Sequence, residues 1–298
     1  MTATTASWRL VPRRRLSLSA RWRNPVGIAG ASMVAFVVLT AVFGPLIWTI
    51  DPNNPAYDRL QGPTWGHPMG TDDLGRDTLA RVIHGAQVSL QVGLIAVGIS
   101  LLAGLLIGIV SSFYRGLADL ALMRIVDIVF AFPLLVLAIL IVGLLGPSRR
   151  NAMIALGIVF APAFARVIRA AALEVLGLPF IESARSLGAN DLQIMRRHVL
   201  PNIMAPVIVL TTMYLGQAIL GEAFLSFLGL GTQPPEAAWG NMLATARNFI
   251  EASVWMSIFP GLAIMFTVLA FNFLGDGLRD ILDPRLGGVA DEIAVRSK

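Results

Sequence analysis

The chain has no cysteine, and its one lysine is Lys298 at the end; the other 22 basic residues are arginines. Without cysteine there are no disulfides, no thiolate metal ligands and no thiol nucleophiles. The shortage of lysine excludes more. A P-loop places a Lys on the β- and γ-phosphates of its nucleotide within G-x-x-x-x-G-K-[ST], and the chain contains no such motif. It is not itself a P-loop ATPase, so any drive from ATP must arrive through another polypeptide. Charge of either sign is scarce. Only 14% of the 298 residues are charged and 56% are hydrophobic, where a soluble domain carries about 25% charged residues. Mean hydropathy is +0.72. There is too little polar surface to coat a globule in water, and one integral-membrane domain is expected.

Long apolar runs fill the space that charge leaves. A spanning helix needs about 20 mostly apolar residues. The sequence predicts an all-α membrane fold with six transmembrane helices, near 25–50, 86–113, 120–146, 151–172, 202–228 and 254–275. Residues 1–24 form a basic N-terminal tail and 51–85 an outer loop. Residues 86–275 form a five-helix core that includes an inner loop at 173–201 and an outer loop at 229–252, and 276–298 form the C-terminal tail. The apolar run behind the basic tail is too long for a cleaved signal peptide, so a retained first span is expected.

The arginines set the orientation. With both termini in the cytoplasm, 17 of the 23 basic residues lie inside and six outside, as the positive-inside rule asks. This asymmetry accounts for the net charge of +5 without nucleic acid. The N-terminal arginines serve as a topology signal and as contacts to lipid headgroups.

One polar passage interrupts the second half, "FIESARSLGANDLQIMRRHVLPN" at 180–202. Pro179 suits the first turn of a helix, where its missing N–H is an orphan anyway. Glu182 favours the helix dipole from that first turn. Phe180, Ala184 and Leu187 share one face, bordered by Ile181 and Arg185. Gly188 suits a left-handed C-terminal cap. Asn190 and Gln193 then resemble a capping box that opens a second helix. Leu192, Met195 and Val199 continue the apolar stripe, and Arg196, Arg197 and His198 end it. Pro201 is expected to break or kink the chain as it re-enters the membrane. The loop is thus a helical hairpin outside the bilayer, too small to form a core of its own. Two fates are open to it on physical grounds: folding back on its own bundle, or docking in a groove of another protein.

Other polar residues stand apart from this loop. Asp72, Asp73 and Asp77 are hard oxygen donors but lack EF-hand spacing. Caps for a helix near Asp77–Arg81 and pairing with Arg76 are expected of them instead. Arg124 and Asp127 are spaced to pair along one helix. Glu222, in the fifth span, has no local cation, and is a candidate pathway residue or a partner for an outer-loop N–H. Asn272 is expected to hydrogen-bond between helices. Asp276, Arg279 and Asp280 are spaced for ion pairs that would close the bundle. His67 and His84 are too distant in sequence to form a motif, and His198 is read as solvated. No HExxH or Ser/His pairing suggests an enzyme. Midplane charges are few and no repeat is visible, which disfavours an ion-coupled transporter.

The polar loop carries a resemblance. Glu182, Ala184, Gly188, Leu200 and Pro201 resemble the EAA loop of permease subunits of binding-protein-dependent ABC importers, with Ser183 departing mildly where a small residue is usual. "GTDDLGRD" at 70–77, "SFLGLGTQPPEAAWGNML" at 226–243 and "PGLAIMFTVLAFNFLGDGLRDILDPR" at 260–285 are similar to the C-type permease of dipeptide, oligopeptide and nickel importers. The resemblance runs from about residue 70 to the end. It implies a type I ABC importer transmembrane domain in a bacterial inner membrane, with no catalytic role and no cofactor of its own. It implies that residues 180–185 and 187–189 form the coupling helix: Phe180, Ile181, Glu182, Ser183, Ala184, Arg185, Leu187, Gly188 and Ala189. The partners it implies are a homologous permease in a heterodimer, two cytoplasmic ABC ATPase subunits that use ATP and Mg, and an extracytoplasmic solute-binding protein. The cargo would be a small peptide or similar solute.

Overall fold

The computed structural model describes residues 24–282. The expectations placed on the basic N-terminal tail and on the C-terminal tail beyond 282, Arg285 included, lie outside the described residues.

Ten α-helices make up the described chain, and no strand is present among the described residues. They are α1 (Pro25–Ile47), α2 (Thr78–Phe113), α3 (Leu117–Phe130), α4 (Leu134–Leu145), α5 (Arg149–Leu176), α6 (Pro179–Ser186), α7 (Asp191–Ile194), α8 (Leu200–Phe227), α9 (Trp239–Ala246) and α10 (Trp255–Leu282). Five continuous helical stretches are long and apolar enough to cross a membrane: α1, α2, α5, the run Asp191–Phe227 and α10. The third span differs from its expected form. It is broken into α3 and α4, which meet at 92°. Pro133 stands at the break: its ring lacks an N–H and crowds the preceding turn, and it disfavours helical conformation at Phe132.

Neighbour contacts give the packing directions. Gly104 of α2 lies against Phe164 and Ala165 of α5, and Gly157 of α5 lies against Ala96 and Ile99 of α2. The two helices therefore run parallel, and α3 with α4 supplies the return between them. A Cβ on Gly104 would lie 2.3 Å from that of Phe164, so the absent side chain sets how close the helices come. Helices α1 and α10 run antiparallel, from Gly27 against Gly277 to Phe36 against Phe266. The core between α2, α5 and α8 holds Val92, Leu156, Phe164, Ile168 and Ala218, each fully buried. Tyr214 of α8 meets Phe160 and Phe164 edge-on at 5.1 and 5.2 Å.

These directions put the α6–α7 hairpin and the two described chain ends at one end of the bundle. The segments 48–77 and 228–254 lie at the other. Helix α2 begins at Thr78, eight residues before the expected span, and Asp77 caps it as expected: its Oδ1 accepts from Ala80 N at 2.7 Å.

Candidate functional site

The hairpin is built from local rules. Pro179 opens α6, and Gly188, at φ +86°, turns the chain out of it. Asn190 and Gln193 form a true capping box: Asn190 Oδ1 accepts from Gln193 N at 2.9 Å and Gln193 Oε1 from Asn190 N at 3.0 Å. After α7 the chain makes one wide π-type turn, Met195–Val199, and runs straight into α8. Of the break or kink expected at Pro201, the break does not occur. Pro201 cannot donate to the carbonyl four residues back, and the wider turn absorbs the lost bond. Asn202 Nδ2 donates to His198 O at 2.6 Å. The second arm of the hairpin and the spanning helix are therefore one continuous helical body from Asp191 to Phe227.

Of the two fates open to the apolar stripe, the fold-back is realised on one face, while another face is left exposed. Ile181, Ile194 and Val199 are buried in the main core. Three such side chains stabilise the fold-back by about 5 kcal/mol. Ile181 is thus the anchor of α6, where the sequence placed it at the border. Phe180, Leu187 and Leu192 point the other way and are 42%, 88% and 60% exposed. Ala184 is half-buried beside them, while Glu182, Ser183 and Arg185 are exposed. Gly188 and Ala189 line an open concavity between the two short helices, with Leu187, Leu192, Arg196 and Arg197 around it. His198 stacks obliquely near Phe180, at 5.9 Å between ring centroids, and is half-buried rather than solvated. Exposed leucines rimmed by arginines mark a surface that favours a partner over water.

At the opposite end, the Asp-rich segment is an anchor. Asp72 Oδ1 accepts from Leu74 N and Arg76 N, both at 2.9 Å, and its Oδ2 from Arg76 Nε at 2.6 Å. Asp77 also holds Trp48 Nε1 at 3.0 Å and His67 Nδ1 at 2.7 Å. Arg81 Nη1 donates to Pro52 O at 2.9 Å. The carboxylate oxygens of Asp72 and Asp77 are thus occupied by protein donors. His67, which the sequence left without a role, is one of them. The 228–254 segment is equally tied down: Trp239 is buried and its Nε1 donates to Val82 O at 2.9 Å. Glu236 pairs with Arg149.

Glu222 is fully buried within the chain. Its Oε1 accepts from Ser226 Oγ at 2.6 Å and Thr232 Oγ1 at 3.1 Å, and Ser226 Oγ in turn accepts from Thr232 N at 2.8 Å. The carboxylate therefore pins the turn after α8.

Two expected ion pairs are replaced. Asp127 pairs with Arg166 of α5 at 2.7 Å, not with Arg124, because α3 packs its acidic face on α5. A parallel pair joins Asp119 to Arg169 at 2.6 Å. At the end of α10, Asp280 accepts from Asn24 Nδ2 at 2.6 Å. Among the described residues, none of the expected pairs to Arg279 forms, and Asn272 makes no interhelical hydrogen bond. The periodicity of one helix could not show these partners, since they come from another.

Residues 100–288 match the family described as "binding-protein-dependent transport system inner membrane component". Residues 21–63 match the "N-terminal TM domain of oligopeptide transport permease C". A dipeptide transport system permease protein of Alkalihalophilus pseudofirmus is 44% identical over 266 residues, 89% of this chain and 87% of that one. A glutathione transport system permease protein of Pectobacterium atrosepticum is 43% identical over 266 residues, 89% of this chain and 88% of that one. The fold is similar to that of a chain of the MetNI methionine ABC transporter, at TM-score 0.57 and 20% identity over 68% of this chain and 96% of that chain. The chain belongs to the family of inner membrane components of binding-protein-dependent transport systems.

Proposed function

We propose that the chain is one membrane-spanning half of an ATP-driven importer for short peptides. It is non-catalytic, and it is driven by separate ATPase subunits that grip the α6–α7 hairpin. The observation that carries this reading is the hairpin's split character. Ile181, Ile194 and Val199 fix it to the core, while Phe180, Leu187 and Leu192 stay exposed. Because Asp191–Phe227 is one helical body, a push on the hairpin is a push on a spanning helix. The peptide class follows from the dipeptide and glutathione systems to which the relatives belong. The absence of a P-loop Lys supports a separate energy source. A second, homologous permease would complete the pathway, and a solute-binding protein would meet the anchored loops at 48–77 and 228–254. The hairpin end would face the cytoplasm of a bacterial cell. Glu222 would hold the outer turn beside the pathway.

The test uses the whole transporter, purified with its ATPases, partner permease and binding protein. Leu187→Asp places a charge at an 88% exposed apolar position, so it leaves the fold alone. It is expected to abolish both peptide uptake and the stimulation of ATPase activity by the binding protein. Full uptake and full stimulation by that variant, together with Glu182→Lys, would sink the coupling assignment.

A further inference from the structure

The α3–α5 cleft is unlike the rest of the bundle. Helix α3 buries one side chain, Val126, while Leu117, Leu120, Ile125 and Ile128 are exposed. Asp119, Met123 and Asp127 fall at i, i+4 and i+8 on one face of it and line an open cleft with Arg166 and Arg169 of α5. The two ion pairs form separate rungs: Asp119 with Arg169, and Asp127 with Arg166. The side chains of Asp127 and Arg166 remain 51% and 49% exposed, and Arg166 also lies 4.1 Å over the ring of Phe130.

Position matters here. Arg166 follows Arg149 by 17 residues, about 26 Å along a helix, against a hydrocarbon core of about 30 Å. The rungs therefore lie at the hairpin-end mouth of the span. Half-exposed charges at such depth face water or a partner far more often than lipid. A purely basic cluster would suit anionic headgroups, but this cleft carries equal numbers of both signs. Asp119 and Asp127 are eight residues apart along α3, about 12 Å, and Arg166 and Arg169 three apart along α5, about 5 Å, so the reach from an aspartate of one rung to an arginine of the other lies between these. An extended tripeptide spans about 10 Å. One end could meet an aspartate of one rung and the other an arginine of the next.

We propose that the α3–α5 cleft is a station for zwitterionic short peptides, holding the free ammonium and the free carboxylate on its two rungs before release. This rests on the peptide-importer reading above. The same cleft lets cargo exchange with pairs that already exist, so no charge is left bare when it is empty.

The chain has no cysteine, which makes a single thiol a clean reporter. Met123→Cys sits between the rungs, and Leu120→Cys, more exposed on the same cleft, serves if the first does not assemble. Labelling of this chain by a water-soluble maleimide is followed in the complete transporter, with and without trialanine and with its N-acetyl, C-amide analogue. Trialanine should slow labelling about fourfold at roughly three times its Kd, and the analogue should not. Failure to label means lipid or the partner permease covers the cleft, and overturns the proposal. Equal protection by both peptides, or by neither, overturns it too. ATP-dependent uptake from a mixed di- and tripeptide pool, read by mass spectrometry on the same preparation, tests the importer reading separately. Uptake without protection sinks only the cleft, whereas no uptake sinks the reading beneath it.

Discussion

Single residues in this protein act mostly by what they omit. Gly75, at φ +80°, takes a conformation that L side chains rarely adopt, and a Cβ there would lie 2.0 Å from Tyr57 O. Gly75→Ala combines backbone strain with a clash against main chain, for a loss of about 2–4 kcal/mol. Gly98, inside α2, has nothing within 4 Å of its would-be Cβ. Gly98→Ala is expected to be neutral or to stabilise by up to about 1 kcal/mol. Thermal melting of the two variants in detergent decides. A Gly75→Ala protein that melts with the wild type would mean the 48–77 segment is not the rigid anchor its hydrogen bonds describe. Trp239→Phe removes the indole N–H that donates to Val82 O and leaves a void where the second ring was buried, for a loss of about 1–3 kcal/mol. The same melts should show it as a smaller loss than Gly75→Ala.

Elements show where a local reading succeeds and where it stops. The hairpin was legible because its determinants are neighbours in sequence. Pro179 opens a helix, Gly188 takes φ +86°, and Asn190 with Gln193 closes a capping box. The break at Pro133 was written in the sequence as well, but the apolar run across it reads as one span. Hydropathy does not sense a bend, and the residues on both sides are equally oily. Pro201 shows the reverse, a proline whose helix continues because a π-type turn takes up the missing bond. The partner of Asp127 was not legible at all, since Arg166 is 39 residues away. Nor was the burial of Ile181 rather than Phe180, which depends on where the bundle lies. If Pro133 sets the bend, Pro133→Ala restores a donor and lets α3 and α4 straighten. Spin labels at Leu120→Cys and Leu140→Cys, both exposed, should then report a longer distance. An unchanged distance would assign the bend to the α3–α5 ion pairs instead.

At the scale of the whole described molecule, α1 is attached to α10 mainly by close backbone approach, and only Val34 and Ala41 join the hydrophobic cluster around Ile264 and Phe271. Helix α1 buries only Gly30, Val37, Ala41 and Gly44. Its contact with α10 runs through Gly27 and Gly277, where a Cβ on Gly277 would lie 2.2 Å from Gly27 Cα, and through Gly30, where one would lie 2.2 Å from Leu274 N. Asn24 and Asp280 close the seam at the end, and Phe36 meets Phe266 edge-on at 5.7 Å. In lipid there is no hydrophobic drive between apolar helices, so such contact depends on backbones that can touch. A single large side chain should therefore release α1 while the rest of the bundle, held by the α2–α5–α8 core, stays folded. With Phe36→Cys and Phe266→Cys in the cysteine-free chain, a short bis-thiosulfonate linker should join the two helices. Adding Gly277→Leu should remove most of that cross-link without lowering the melting temperature of the core. Retained cross-linking in the Leu variant would mean that α1 is held elsewhere, through Gly44 against Ile83 and the donation of Gln87 Nε2 to Ala41 O at the opposite end. Loss of the whole fold would mean that α1 is part of the core rather than an attachment to it.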